Sequence, residues 1–124
     1  MNLVDSSGWL EYFADGRNAD FFAGPIMEHK LLLVPTVCIF EVFKRLSMLR
    51  GEGDALLAIA NMYQGQVVDL DHSVAVSAAQ LSIAHQLPMA DSIIWATAQF
   101  YEATVWTQDI DFKDLPGVKF IPKR

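Results

Sequence analysis

Short unbroken apolar runs alternate along the chain with stretches in which apolar residues recur every three or four positions, which predicts alternating strands and helices. Asn2-Leu3-Val4 reads as a first strand, closed by Asp5-Ser6-Ser7, and Trp9, Leu10, Tyr12 and Phe13 supply the packing face of a short helix. Asp15-Gly16 marks a break. A second helix is expected from about Asn18 to His29, kinked or bounded at Gly24-Pro25. Leu31 to Val34 is four consecutive aliphatics, a strand buried on both faces and stopped by Pro35-Thr36. From Thr36 to Arg50 the period is helical, with Ile39, Val42, Phe43, Leu46 and Leu49 on one stripe and Glu41 pointing away from it.

Gly51 and Gly53 break that helix, Asp54 is placed to cap the next, and Ala55–Tyr63 returns antiparallel to form a two-helix arm. Gln66–Leu70 is a third strand, and Asp71 caps a helix through Val74, Ala78 and Leu81 that ends near Gln86. Leu87-Pro88 permits a new start, so that Asp91 falls in the first turn of a helix carrying Ile93, Ile94, Trp95, Ala96 and Ala98. Thr104-Val105-Trp106 and Val118–Ile121 complete the strands. The sum is an α/β fold over 1–124: a single domain of three α/β/α layers, a short, mainly parallel sheet and a protruding helical hairpin.

Composition fits that picture. The chain has 124 residues, 52% hydrophobic and 19% charged, enough for one core and too apolar for a disordered segment. No apolar run approaches the roughly 20 residues that span a bilayer, and no export signal is legible, so the expected location is cytoplasmic, with no membrane partner. The lone cysteine, Cys38, sits within apolar neighbours and reads as a buried, inert thiol. A net charge of -6 speaks against bulk electrostatic gripping of nucleic acid. If the acids gather on metal the argument weakens, because two divalent cations would add four charges and leave -2.

Ligands of parallel sheets bind outside the carboxyl ends of the strands. Asp5 follows the first strand and Asp109 the fourth, while Asp91 at a helix start and Glu41 on a helix face can reach the same edge. Four carboxylates with no thiol or imidazole beside them suit a hard cation, Mg²⁺ or Mn²⁺, rather than zinc. Cations held this way activate water and stabilise charge on phosphoryl oxygens, the chemistry of phosphodiester hydrolysis.

Four motifs, NLVDSS, PTVCIFEVFKRL, LPMADSIIWATA and TQDIDF, occur in an order and spacing over nearly the full length that resembles the PIN-domain ribonucleases, particularly the VapC-type toxins of toxin-antitoxin pairs. The resemblance implies a Mg²⁺- or Mn²⁺-dependent endoribonuclease with catalytic metal ligands at Asp5, Glu41, Asp91 and Asp109. Asp111, two residues on, competes with Asp109 or stands beside it as a fifth acid. The matching hydroxyls of Ser6 and Thr107 would support these ligands through hydrogen bonds. The implied partners are an RNA substrate, a cognate antitoxin protein and a second copy of the chain in a homodimer. Lys44, Arg45, Arg50 and Lys113 are candidates for phosphate contacts, none of them fixed by a motif.

Taken singly, each acid has a plainer reading. Asp5 and Asp91 suit helix caps, Glu41 a solvated helical face with Lys44 and Arg45, and Asp111 a turn. His29, His72 and His85 share no ligand spacing. A phosphoacceptor receiver would show paired acids after the first strand, and a haloacid-dehalogenase-type phosphatase a second aspartate where Ser7 stands. The remaining alternative is a catalytically inactive PIN-like module that acts by holding a protein partner.

Overall fold

The computed structural model describes residues 1–124. Five strands, β1 (Asn2–Val4), β2 (Leu32–Pro35), β3 (Gln66–Val68), β4 (Thr104–Thr107) and β5 (Val118–Phe120), form one sheet in the order β3-β2-β1-β4-β5. All four pairings are parallel, with Leu3 aligned on Leu33 to one side and on Val105 to the other. Connections lead from β1 to β2 on one side and reach β4 on the other. The gap beyond the carboxyl ends of β1 and β4 is therefore the sheet's switch point.

Six α-helices accompany the sheet: α1 (Ser6–Phe13), α2 (Ala19–Met27), α3 (Thr36–Arg50), α4 (Glu52–Met62), α5 (His72–His85) and α6 (Met89–Phe100). Strand residues Leu3, Val4, Leu32, Leu33, Val34 and Val105 are almost fully buried, as unbroken aliphatic runs in a sheet covered on both faces should be. They join Trp9, Phe22, Ile26, Val42, Met62, Ile94, Trp95 and Phe112 in the main core. Val74, Ala78 and Ala96 make a small second cluster between α5 and α6.

The structure corrects several boundaries. Gly24-Pro25 neither bounds nor divides α2: Pro25 lies buried inside the helix, close enough to its end that little of the ladder is lost. The segment His29–Leu31 is a 3₁₀ turn, and Leu31 is exposed, so the strand begins at Leu32. Asp54 does not cap α4, which already starts at Glu52; the break is made by Gly51 at φ +92°, a conformation suited to glycine. On α3 the buried stripe is Cys38, Val42 and Leu46, whereas Leu49 is solvent-exposed. The α3–α4 hairpin itself forms as the sequence pattern requires.

Close packing at the start of α1 depends on one residue. A Cβ on Gly8 would lie 2.6 Å from both Phe22 Cε1 and Val4 Cγ1, so only glycine lets α1 settle this close to β1 and α2. That fit fixes the helix whose first turn abuts Asp5.

Candidate metal centre

Asp5 ends β1 and caps α1 at once. Its backbone is extended, and its Oδ1 accepts a 2.9 Å hydrogen bond from the Gly8 amide. Ser7 Oγ donates to the same carboxylate at 2.8 Å, and Thr107 Oγ1, at the end of β4, donates to Oδ2 at 2.6 Å. The plain reading of Asp5 as a cap and the reading as a site residue therefore coexist. Burial of the side chain, only 2% exposed, pushes its pKa up to about 6 even though the Thr107, Gly8 and Ser7 hydrogen bonds pull the other way.

Thr107 is completely buried and works in two directions. Besides donating to Asp5, its oxygen accepts the Asp109 amide at 2.9 Å. One hydroxyl thus ties the acid after β1 to the acid after β4. Asp109 in turn accepts the Asp111 amide at 2.9 Å and caps a 3₁₀ turn, Ile110–Phe112, whose Phe112 is anchored in the core.

Asp91 occupies the third position of α6, with Pro88 at the N-cap, so it caps nothing. The apolar face of α6, including Ile94, Trp95 and Ala98, is buried and holds the helix against the core. Asp91 accepts no side-chain or backbone hydrogen bond. Partial burial, then the charges of Asp109, Asp111, Asp5 and Glu41, raises its pKa to about 7. Carboxylate oxygens of Asp91, Asp109 and Asp111 all lie within 4.8 Å of one another. Both members of the Asp109–Asp111 pair thus approach Asp91.

Glu41 sits half-buried on α3, and Ser6 Oγ donates to its Oε1 at 2.6 Å, a link across 35 residues. Ser6 and Thr107 thus each donate to one of the candidate acids, Ser6 to Glu41 and Thr107 to Asp5. Behind this edge Cys38 is fully buried, which drives its thiol pKa upward and leaves it the inert core thiol expected.

Three polar residues of the site's surroundings escaped the sequence reading. Ser7 braces Asp5 directly. Gln108 and Asn18, both buried, are joined by a 2.9 Å bond from Asn18 Nδ2 to Gln108 Oε1, and Asn18 also donates to the Pro122 carbonyl at 3.0 Å. Gln108 Nε2 reaches the Ser7 carbonyl at 3.4 Å, so this chain of amides steadies the segment between Thr107 and Asp109. Partners about a hundred residues apart leave no local signal; for Ser7 the signal was its place two residues after Asp5.

A cluster in which burial and mutual repulsion raise two carboxyl pKa values is costly when unneutralised, and an oxygen-preferring divalent cation would offset that cost. The donor set fits such an ion: carboxylates throughout, no sulfur or imidazole among them.

Fold and site together define an α/β protein that gathers acids from distant segments at the switch point of a parallel sheet. Residues 3–118 match the sequence model of the family described as PIN domain, and the chain belongs to that family, whose members are nucleases that generally use divalent metals. No curated protein matches it significantly in sequence. Among solved structures it superposes with TM-score 0.79 on a toxin-antitoxin complex chain from Klebsiella pneumoniae, at 21% identity over 96% of each chain. It also superposes on VapC20 of Mycobacterium tuberculosis, a sarcin-ricin loop cleaving toxin, with TM-score 0.81 and 15% identity over 95% of this chain and 97% of that one. VapBC2 of Rickettsia felis, bound to a promoter DNA fragment, gives 0.76 at 11% identity over 98% and 97%. At these identities the likeness shows a shared fold. No helix is long and apolar enough to cross a membrane.

Proposed function

We propose that residues 1–124 act as one domain, a Mg²⁺- or Mn²⁺-dependent endoribonuclease that is the toxin of a toxin-antitoxin pair, restrained by an antitoxin and working as a homodimer in the cytoplasm. The observation that carries the reading is the approach of Asp91, Asp109 and Asp111 to within 4.8 Å, on an edge where the charges of Asp5 and Glu41 are also felt. Family membership and the toxin-antitoxin complexes among the structural relatives support it.

On this reading Asp5, Asp91 and Asp109 hold the ion, Asp111 stands as a further ligand, and Glu41 either ligates or orients water. The ion, when bound, supplies charge stabilisation to a phosphoryl oxygen and activates water. The chain's own groups do the rest. Thr107 and Ser7 hold the Asp5 carboxylate in one orientation, and Ser6 holds Glu41 through its Oε1, leaving Oε2 without a hydrogen bond. Asp91, with no hydrogen bond to satisfy it, has its carboxylate unengaged and would be available to hold the ion.

The test is incubation of the purified protein with RNA in Mg²⁺ or Mn²⁺, with EDTA and Asp91→Asn as controls. Cleavage abolished by both controls is the expected result. Cleavage that survives both would remove the site from the reaction. Absence of cleavage with either metal, in a protein that still captures a partner, would establish the inactive binding module instead.

A further inference from the structure

Four of the nine Lys and Arg residues of this acidic chain, Lys44, Arg45, Arg50 and Lys123, gather beside the acid edge. Two grooves run together there. The first is lined by Ser6, Phe40, Glu41, Lys44, Arg45 and Met48. It shares Leu10 and Arg45 with a second, of about 320 Å³, that continues past Ser7 and Gln108 to Arg50 and Lys123. Ser6 and Ser7 hold Glu41 and Asp5, so the trough opens directly off the candidate site.

All four cations are exposed and no carboxylate engages them. Lys44 Nζ lies 5.8 Å over the Phe40 ring, and Arg50 Nη1 makes only a long 3.4 Å bond to the Phe13 carbonyl. The one carboxylate of the second groove, Glu11, is turned to the adjacent loop, where it accepts the Asn18 amide at 2.9 Å. Cations left unpaired in a chain with an excess of acids are groups awaiting an external anion. A repeating anion fits better than a single one, because the cations follow one another along the trough. Phe40, 63% exposed next to Glu41, offers a flat apolar face at the site end of it.

We infer that this trough seats single-stranded RNA, with successive backbone phosphates on Arg45, Arg50 and Lys123 and a base stacked on Phe40. The inference rests on the nuclease reading above and gives it a polarity: the strand leaves the acid edge along α3, between α1 and the segment that carries Lys123. Lys113, offered by the sequence as a phosphate contact, follows the 3₁₀ turn and lines neither groove, whereas Lys123 had no signal beyond its charge. Asp54, at the end of the next hollow along α3 and α4, bounds the track.

The experiment compares binding of a labelled single-stranded RNA by Asp91→Asn protein, alone and with Arg50→Gln plus Lys123→Gln, across a salt series. Lys30→Gln, at the opposite end of the strands, serves as control. Roughly tenfold weaker binding in the trough variant, with the slope of log K against log salt reduced by about 0.7 per cation removed and Lys30→Gln unchanged, is the expected result. In protein with Asp91 intact, the same double substitution raises KM while kcat is kept. Unchanged RNA binding and slope in the trough variant overturns the inference and points to a protein occupant; if the unaltered protein still cleaves RNA, the nuclease reading survives. An equal loss in Lys30→Gln also overturns it, since a general field would then account for binding. Loss of binding in the trough variant of a protein that cleaves nothing would leave the trough as an RNA seat and remove the nuclease reading alone.

Discussion

Thr107 Oγ1 donates to Asp5 Oδ2 at 2.6 Å while accepting the amide of Asp109 at 2.9 Å, so one buried hydroxyl joins the acids that follow two neighbouring parallel strands. The pair explains why the two loops come together in a fixed relation. It also makes Thr107 the most informative position outside the acids themselves.

Thr107→Val keeps the shape and removes the hydroxyl. It leaves a buried carboxylate short of one donor and the Asp109 amide without its acceptor, a loss of about 1.5–3 kcal/mol in stability. Mn²⁺ affinity, read by calorimetry, is expected to fall about 10- to 100-fold, and Thr107→Ser to restore most of both. Equal behaviour of Val and Ser would show that the hydroxyl does not position the acids.

Asp91→Asn separates stability from activity. The half-buried carboxylate has no hydrogen bond and faces four other acids, so its neutral isostere should raise the melting temperature of metal-free protein by a few degrees. The same change should abolish RNA cleavage and erase the stabilisation that Mn²⁺ gives the native protein. A variant that melts lower without metal, yet is still stabilised by Mn²⁺, would contradict the placement of Asp91.

The pH dependence of metal-free stability has a definite sign. Asp5 and Asp91 have folded-state pKa values of about 6 and about 7 against an ordinary 3.8, so between these limits the native chain binds more protons than the unfolded one. Stability from these groups is therefore full below pH 4 and lost as pH rises toward 7, on the order of 2–3 kcal/mol for the fully buried Asp5. Saturating Mg²⁺ or Mn²⁺ should reverse the trend, because the ion competes with those protons. Thermal melts in EDTA at pH 5 and 7.5 decide it: a higher melting temperature at pH 7.5 would refute the assignment.

Gly8→Ala tests the packing under the site. The added Cβ would stand 2.6 Å from Phe22 and Val4, so α1 must shift away, at a cost of about 1–3 kcal/mol. Because the Gly8 amide also holds Asp5, metal affinity should fall along with the urea midpoint. A normal midpoint would mean that α1 accommodates the methyl without moving.

The sequence made much of this legible because the signals were local. Apolar runs at Leu3, Leu33 and Val105 could hardly be anything but covered strands, and the acids at positions 5, 91 and 109 each stood beside a strand end or helix start. Pro25 misled because a proline signals a helix limit without saying whether the limit is at that residue or two later. Gly51 and Asp54 competed for one boundary, and backbone conformation decided in favour of glycine. Whether Asp109 or Asp111 faces Asp91 could not be read from two acids in a row; the 3₁₀ turn that brings both round appears only once Phe112 is packed. The Asn18–Gln108 brace is a product of tertiary structure alone.

The order in which the sheet is threaded also sets when the acid edge can form. During synthesis β1 emerges first, yet the strand that completes its second side, β4, is separated from it by about a hundred residues. A growing chain that has reached Asp91 already carries three acids but neither the Thr107 hydroxyl nor the Asp109–Asp111 turn, so the carboxylates have nothing to gather them. The acid edge is thus completed in one step, with the strand that closes the centre of the sheet.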